Sequence, residues 1–106
     1  NFNQFMFDKL LQAQQKAEEI KKRLDLISVS AEVEGGKIRI TSTANKHISA
    51  VSIDPEFLRS ADHEELEELL AAAVNKALSQ ADNVSQTEMQ AVTRDMMGGL
   101  GNLFGK

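Results

Sequence analysis

The feature that most constrains the fold of this 106-residue chain is a change in the spacing of its apolar residues at Ile27. Before Ile27, apolar residues recur at alternating steps of four and three, the 3.5-residue repeat of a helix with a narrow apolar seam. The seam residues are Met6, Leu10, Ala13, Ala17, Ile20 and Leu24. From Ile27 onward, apolar residues alternate with polar ones, which is the period of a strand with one covered face. A long helix over about residues 3–26 is therefore predicted to lead directly into a β-sheet.

A three-stranded antiparallel meander is predicted over about residues 27–53. Gly35 and Gly36 separate the first two alternating segments. Two glycines there favour a tight two-residue hairpin turn, because such turns need positive φ angles. Asn45 and Lys46 lie in the next predicted turn, before the third strand.

The third strand contains an irregularity in its apolar pattern. Its apolar positions change parity part of the way along, which predicts a β-bulge near Ser49 or Ala50. Pro55 ends the strand, because proline cannot extend a hydrogen-bonded ladder.

A second long helix is predicted over about residues 61–97. Asp62 and Glu65 form a capping-box-like pair at its start. Gly98 and the glycine after it are predicted to end the helix. Residues 98–106 then form a glycine-rich tail that we expect to be flexible.

Together these elements predict a single α+β domain over residues 1–106. Three short strands offer little cover to two long helices, and a small sheet exposes unpaired edges. A symmetric homodimer would bury both, so we predict that the chain pairs with itself. The candidate residues for the dimer core share the covered face of the sheet. They are Val29, Val33, Ile38, Ile40, Ile48 and Val51.

Composition excludes several classes of function. With 42% hydrophobic and 26% charged residues, the chain has the profile of a folded soluble domain, and no apolar run is long enough to span a bilayer. It has no cysteine, and His47 and His63 have no second histidine at metal-ligand spacing. No nucleophile constellation or phosphate-binding glycine loop is present. We therefore predict a cytoplasmic protein that is not an enzyme, with no catalytic residues, metal, cofactor, small-molecule substrate or membrane contact.

The charge is unevenly distributed around a formal net value of −4. Residues 1–27 carry five basic against four acidic side chains, whereas residues 60–106 carry three against eight. Lys9, Lys16 and Arg23 are seven residues apart and form a basic stripe with a repeat of about 10.5 Å beside the seam.

This stripe is the first candidate site for DNA phosphates. Lys21 and Lys22 widen it at one end, and Lys46 on the second turn is a further candidate. Such cations contact phosphates without reading bases. Solvated or interhelical charges beside a heptad seam would show the same pattern, and this alternative stays open.

Several segments carry a family resemblance that covers nearly the whole chain. The third strand closes on Val-Ser-Ile-Asp-Pro at residues 51–55, and an Ala-rich helix holds Leu-Leu-Ala-Ala-Ala-Val-Asn at residues 69–75. With the polar heptad helix, the glycine turn and the Met- and Gly-rich end, they resemble the bacterial YbaB/EbfC family of nucleoid-associated proteins. The sequence departs from the family pattern in its acidic charge and in Asn45-Lys46, where Asn-Gly is frequent.

The resemblance implies a tweezer-shaped homodimer in the nucleoid that binds double-stranded DNA with little sequence preference, with projecting helices as its jaws. A different class of function remains open beside it. The chain would then be an acidic dimeric scaffold that binds other proteins and makes no direct contact with DNA. Salt separates the two functions, because phosphate contacts weaken steeply with salt whereas apolar docking changes little.

Overall fold

The computed structural model describes the backbone of residues 2–103 and the side chains of residues 3–98. Within these residues, three α-helices and three strands follow one another. They are α1 (Phe2–Asp25), β1 (Ser28–Val33), β2 (Ile38–Thr43), β3 (Ile48–Ile53), α2 (Pro55–Ser60) and α3 (His63–Leu103). The predicted α+β order of long helix, three strands and long helix is confirmed.

The strands form one antiparallel sheet in the order β1-β2-β3. Thr41 of β2 lies opposite Ala50, while the next residue, Ser42, lies opposite Ile48. Ser49 is therefore the extra residue of a β-bulge, as the change of parity predicted. The bulge brings Ile48 onto the same face of the sheet as Val51.

The turn between β1 and β2 differs from the predicted two-residue hairpin. Val33 pairs with Ile38, so four residues connect the strands, and the first three form a short 3₁₀ turn, Glu34–Gly36. All three have positive φ, at 54°, 63° and 89°. The two-residue prediction is wrong because the last pair of apolar residues on the covered face sets the register, and this leaves a longer connection.

The main core lies between the sheet and α3. Ile38 and Ile40 of β2 are completely buried, and they pack with Ala31 and with Ala73 and Ala77 of α3. Alanines at this spacing lie on one side of a helix and let its backbone approach the sheet closely. The helix packs mainly on β1 and β2, so the covered face of β3 is left at the rim.

The short helix α2 was not predicted, although its start carries a recognisable signal. Asp54 is the N-cap, and its carboxylate accepts a hydrogen bond from the backbone N–H of Phe57 at 3.0 Å. Pro55 occupies the first turn, where its missing N–H costs nothing. The aromatic ring of Phe57 is thereby placed in the core.

The end of α3 also differs from the prediction. The helix begins at His63, after α2, and continues through Gly98 as far as Leu103. The predicted end at residue 97 is wrong because Gly98 does not adopt the left-handed φ that ends many helices, and a glycine inside a helix costs only about 1 kcal/mol relative to alanine. The tail predicted over residues 98–106 is thus helical as far as residue 103, and residues 104–106 lie outside the described residues.

A second, smaller cluster joins α1 to the rest of the molecule. Ile20 and Leu24 of α1 are buried against Ala44 of the second turn and Val84 and Val92 of α3. The described side chains of α1 before Ile20 are all exposed. The molecule is therefore elongated, with extents of 69 × 25 × 19 Å. Its radius of gyration is 20.4 Å, against about 13 Å for a compact chain of this length.

Candidate nucleic-acid interface

The two long helices leave the sheet as separate arms, and the predicted basic stripe lies on the exposed arm of α1. The Lys9 ammonium lies 5.5 Å from the centre of the Phe5 ring. The Lys16 ammonium is 3.8 Å from a carboxylate oxygen of Glu19, one turn further along α1. Both cations are exposed to solvent and remain accessible to an external anion.

Lys21 and Lys22 lie at the base of the same arm. Both side chains are exposed, and neither makes an ion pair with another residue in the part of the chain that the structure describes. The backbone carbonyl of Lys21 accepts a hydrogen bond from the side chain of Asn45. Among the predicted DNA contacts, the side chains of these two lysines are therefore fully available to a phosphate.

Arg23 and Lys46 are in a different situation, because each is paired with a carboxylate of α3. The Arg23 guanidinium lies 3.0 Å from Glu88, and the side chains are 56% and 27% exposed. The Lys46 ammonium lies 2.9 Å from Asp82. Sequence reasoning did not identify either acid, since nothing in the local pattern indicates which residues of α3 meet the turn and α1.

The second turn connects the two arms. Ala44 is completely buried between them, and Asn45 donates hydrogen bonds from its amide to the carbonyl of Lys21 at 2.8 Å and to Asp25 at 2.6 Å. The first of these joins the turn directly to the backbone near the end of α1. Because Lys46 pairs with α3 at the same time, the turn fixes the base of both arms.

Between the arms runs an open cleft of about 400 Å³ whose walls are largely apolar. Apolar side chains of α1 and α3 face each other across it. They are Ala13, Ala17, Ile20 and Leu24 on one side and Met89, Val92 and Met96 on the other. The heptad seam of α1 therefore faces α3 near the sheet and solvent further out.

The predicted dimer-core residues share one face of the sheet but differ in exposure. Ile38 and Ile40 are completely buried within the single chain and have no surface left for a partner. Val29, Val33 and Ile48 are half-buried. Val51, opposite Ile40 on the rim strand, is 54% exposed.

No group of three or more His, Asp or Glu side chains that could hold a metal ion occurs among residues 3–98. His63 lies 3.8 Å from Asp62, and His47 lies elsewhere, directly before β3. None of the described helices is both long and apolar enough to cross a membrane.

Fold and arms define an elongated α+β protein with two projecting helices, one of them bearing a line of lysines. The model of the YbaB/EbfC DNA-binding family matches residues 1–96. The chain belongs to this family, which is a family of DNA-binding proteins and not of enzymes. The resemblance seen in the sequence is confirmed.

Individual relatives agree with this assignment. The chain is 40% identical over 102 residues to a nucleoid-associated protein of Flavobacterium johnsoniae, covering 93% of this chain and 94% of the relative. It is 38% identical over 106 residues to a nucleoid-associated protein of Ruminiclostridium cellulolyticum, covering 99% and 87%. Its fold is similar to the crystal structure of the uncharacterized protein HP0035 from Helicobacter pylori. The TM-score is 0.61 at 16% identity, over 74% of this chain and 92% of that one.

Proposed function

We propose that this protein binds double-stranded DNA with little sequence preference, as a homodimer in the bacterial nucleoid. Its family and the names of its relatives support DNA as the ligand. The observation that carries the proposal is the exposed line of cations on α1, which projects away from the sheet where a long polymer has access to it.

The chemistry of this line supports contact with phosphates. Lysine is a compact point charge on a flexible stem, so it attracts a phosphate without the fixed geometry that bidentate base recognition needs. Contacts of this kind set the position of a protein on the duplex and carry no sequence information. Because the net charge is −4, only this basic surface attracts DNA, and the rest of the protein repels it. We therefore expect weak binding at physiological salt.

The shape of the chain supports a homodimer. The rim strand β3 has one unpaired edge, and Val51 on its covered face is half-exposed. Unpaired edges and exposed apolar residues are stabilised when a second copy covers them. Two copies would also place two basic arms on one DNA molecule, which raises affinity without new contacts per arm.

A mobility-shift titration tests the proposal. Wild type, Lys9→Gln/Lys16→Gln and a control, Arg59→Gln/Lys76→Gln, are titrated onto two unrelated duplexes at about 50 and 200 mM salt. The control removes the same charge from α2 and from the sheet end of α3. Phosphate contact predicts that only the first variant weakens binding, equally for both duplexes, and flattens the salt slope by up to roughly 1.8 per protomer. Equal loss in both variants would place the DNA elsewhere, with Lys37 and Arg39 on the sheet next to test.

A protein-interaction scaffold is the second candidate, and the apolar side chains exposed on the arms favour it. Phe5, Phe7 and Leu10 on α1 and Met97 on α3 are all more than half exposed. Under this function, wild type shows no salt-sensitive DNA binding even at low salt.

A further inference from the structure

We infer that Asp82 and Glu88 of α3 compete with DNA phosphates for Lys46 and Arg23. The acidic arm, which is the part of α3 that carries these two carboxylates, thereby limits the DNA affinity of the basic arm formed by α1. This inference rests on the proposed DNA binding. It divides the candidate DNA-contacting cations into two groups. Arg23 and Lys46 are held by carboxylates of α3, whereas the four lysines of α1 are open to DNA.

The geometry of the two pairs supports the competition. Nitrogen–oxygen distances of 3.0 Å for Arg23–Glu88 and 2.9 Å for Lys46–Asp82 are those of charge-assisted hydrogen bonds. By contrast, Lys16 lies 3.8 Å from Glu19, beyond hydrogen-bonding distance. A phosphate oxygen that bound the same N–H group of Arg23 or Lys46 would displace the carboxylate that accepts from it now.

The location of the pairs makes them part of the candidate interface. Arg23 continues the stripe of Lys9 and Lys16, and it is more than half exposed despite its pair with Glu88. Lys46 is held at the base of the arms by the buried Ala44 and the two hydrogen bonds of Asn45. Both cations are therefore close enough to the arm surface to serve DNA once the carboxylates release them.

The size of the effect follows from the exposure of the pairs. Pairs this exposed are weak, so removing one carboxylate should tighten DNA binding by about two- to fivefold. Each released cation that contacts a phosphate should also steepen the salt slope by about 0.9. The slope separates competition from a change in arm geometry, because loosening the arms would lower affinity and free no cation.

The test compares Asp82→Asn, Glu88→Gln and the double variant with Asp95→Asn by mobility shift at several salt concentrations. Asp95 is the matched control, because it lies on the same side of α3 one heptad beyond Glu88 and makes no ion pair with any described residue. Its variant measures the general effect of removing one negative charge from this arm. Far-UV circular dichroism verifies that each variant is folded. If the double variant does not fold, the two single variants are sufficient for the test.

Competition predicts that both single variants bind more tightly than Asp95→Asn, and that the double variant has a slope steeper than wild type by up to roughly 1.8 per protomer. The inference is overturned if wild type binds DNA in a salt-dependent way and the Asp82 and Glu88 variants gain no more affinity than Asp95→Asn does. The proposed function would still stand in that case. If no protein in the set binds DNA, both fail. If only the variants that lack Asp82 or Glu88 bind DNA, these carboxylates suppress binding almost completely in wild type, and the inference is supported in its strongest form.

Discussion

At the scale of single residues, Lys46 and Glu34 are the two non-glycine residues of the described chain that have positive φ, and Lys46 is the one in the candidate site. Its φ of 65° lies in the left-handed region that favours glycine, yet it carries a long charged side chain. The left-handed conformation costs a residue with a Cβ atom roughly 1–2 kcal/mol. The exposed pair with Asp82 returns about 0–1 kcal/mol. Stability alone would therefore favour glycine at this position.

Comparing Lys46→Gly with Lys46→Ala separates the backbone from the ion pair. Both variants lose the contact with Asp82, but only glycine relieves the left-handed conformation. We expect the glycine variant to be more stable than the alanine variant by about 1 kcal/mol in urea unfolding at a fixed protein concentration. An alanine variant of equal or greater stability would show that the turn changes conformation once the lysine is removed.

At the scale of elements, the contact between α3 and the sheet depends on small residues. Ala73 and Ala77 have no exposed surface, and they lie directly over Ile38 and Ile40. A close-packed interior of this kind has no room for extra methylene groups. The position of α3, and with it the direction of the acidic arm, depends on these alanines.

Ala77→Leu should destabilise the protein, because the added carbon atoms must displace either the helix or the strands beneath it. We expect a loss of about 1–3 kcal/mol in the free energy of unfolding, measured by urea denaturation. Ala71→Leu is the control, since Ala71 is exposed on the opposite side of α3, and its effect should stay within about 0.5 kcal/mol. Similar losses in both variants would contradict the packing described.

At the scale of the whole molecule, the elongated shape determines how much surface is left without a neighbour. An extent of 69 Å leaves the arms with few neighbours, and the rim of the sheet stays uncovered. Two copies joined at this rim would bury Val51 and the edge of β3. We expect light scattering at micromolar concentration to give twice 11.7 kDa, and a stable monomer would end the dimer proposal.

Val51→Asp tests which surface joins the two copies. The side chain is half-exposed in a single chain, so the aspartate can remain solvated in a monomer, whereas a dimer would bury it unpaired. We expect the dimer fraction to fall while far-UV circular dichroism stays close to that of wild type. Ser52→Asp, which adds the same charge to the opposite face of the strand, should leave the dimer intact. A dimeric Val51→Asp variant would move the interface elsewhere.

The sequence by itself determined the order of the two long helices and the three strands, because each of these elements depends on a local pattern, and it missed the short helix α2. The step from a 3.5-residue to a two-residue period places the boundary between α1 and β1, and the change of parity reveals the bulge at Ser49. These signals act within a few residues, so they survive without knowledge of the rest of the fold. They also carried the family resemblance, since its motifs are local.

Only the tertiary structure decided which cations of the candidate site are open and which are held. Arg23 and Glu88 are 65 residues apart, and they meet because Ile20 and Leu24 pack with Val84 around Ala44. The continuation of α3 through Gly98 was likewise beyond local reading, since glycine permits both a helix and its end. The spacing of charged residues in the sequence indicates on which face of its own helix a side chain lies. The residue with which that side chain pairs depends on how the helices pack.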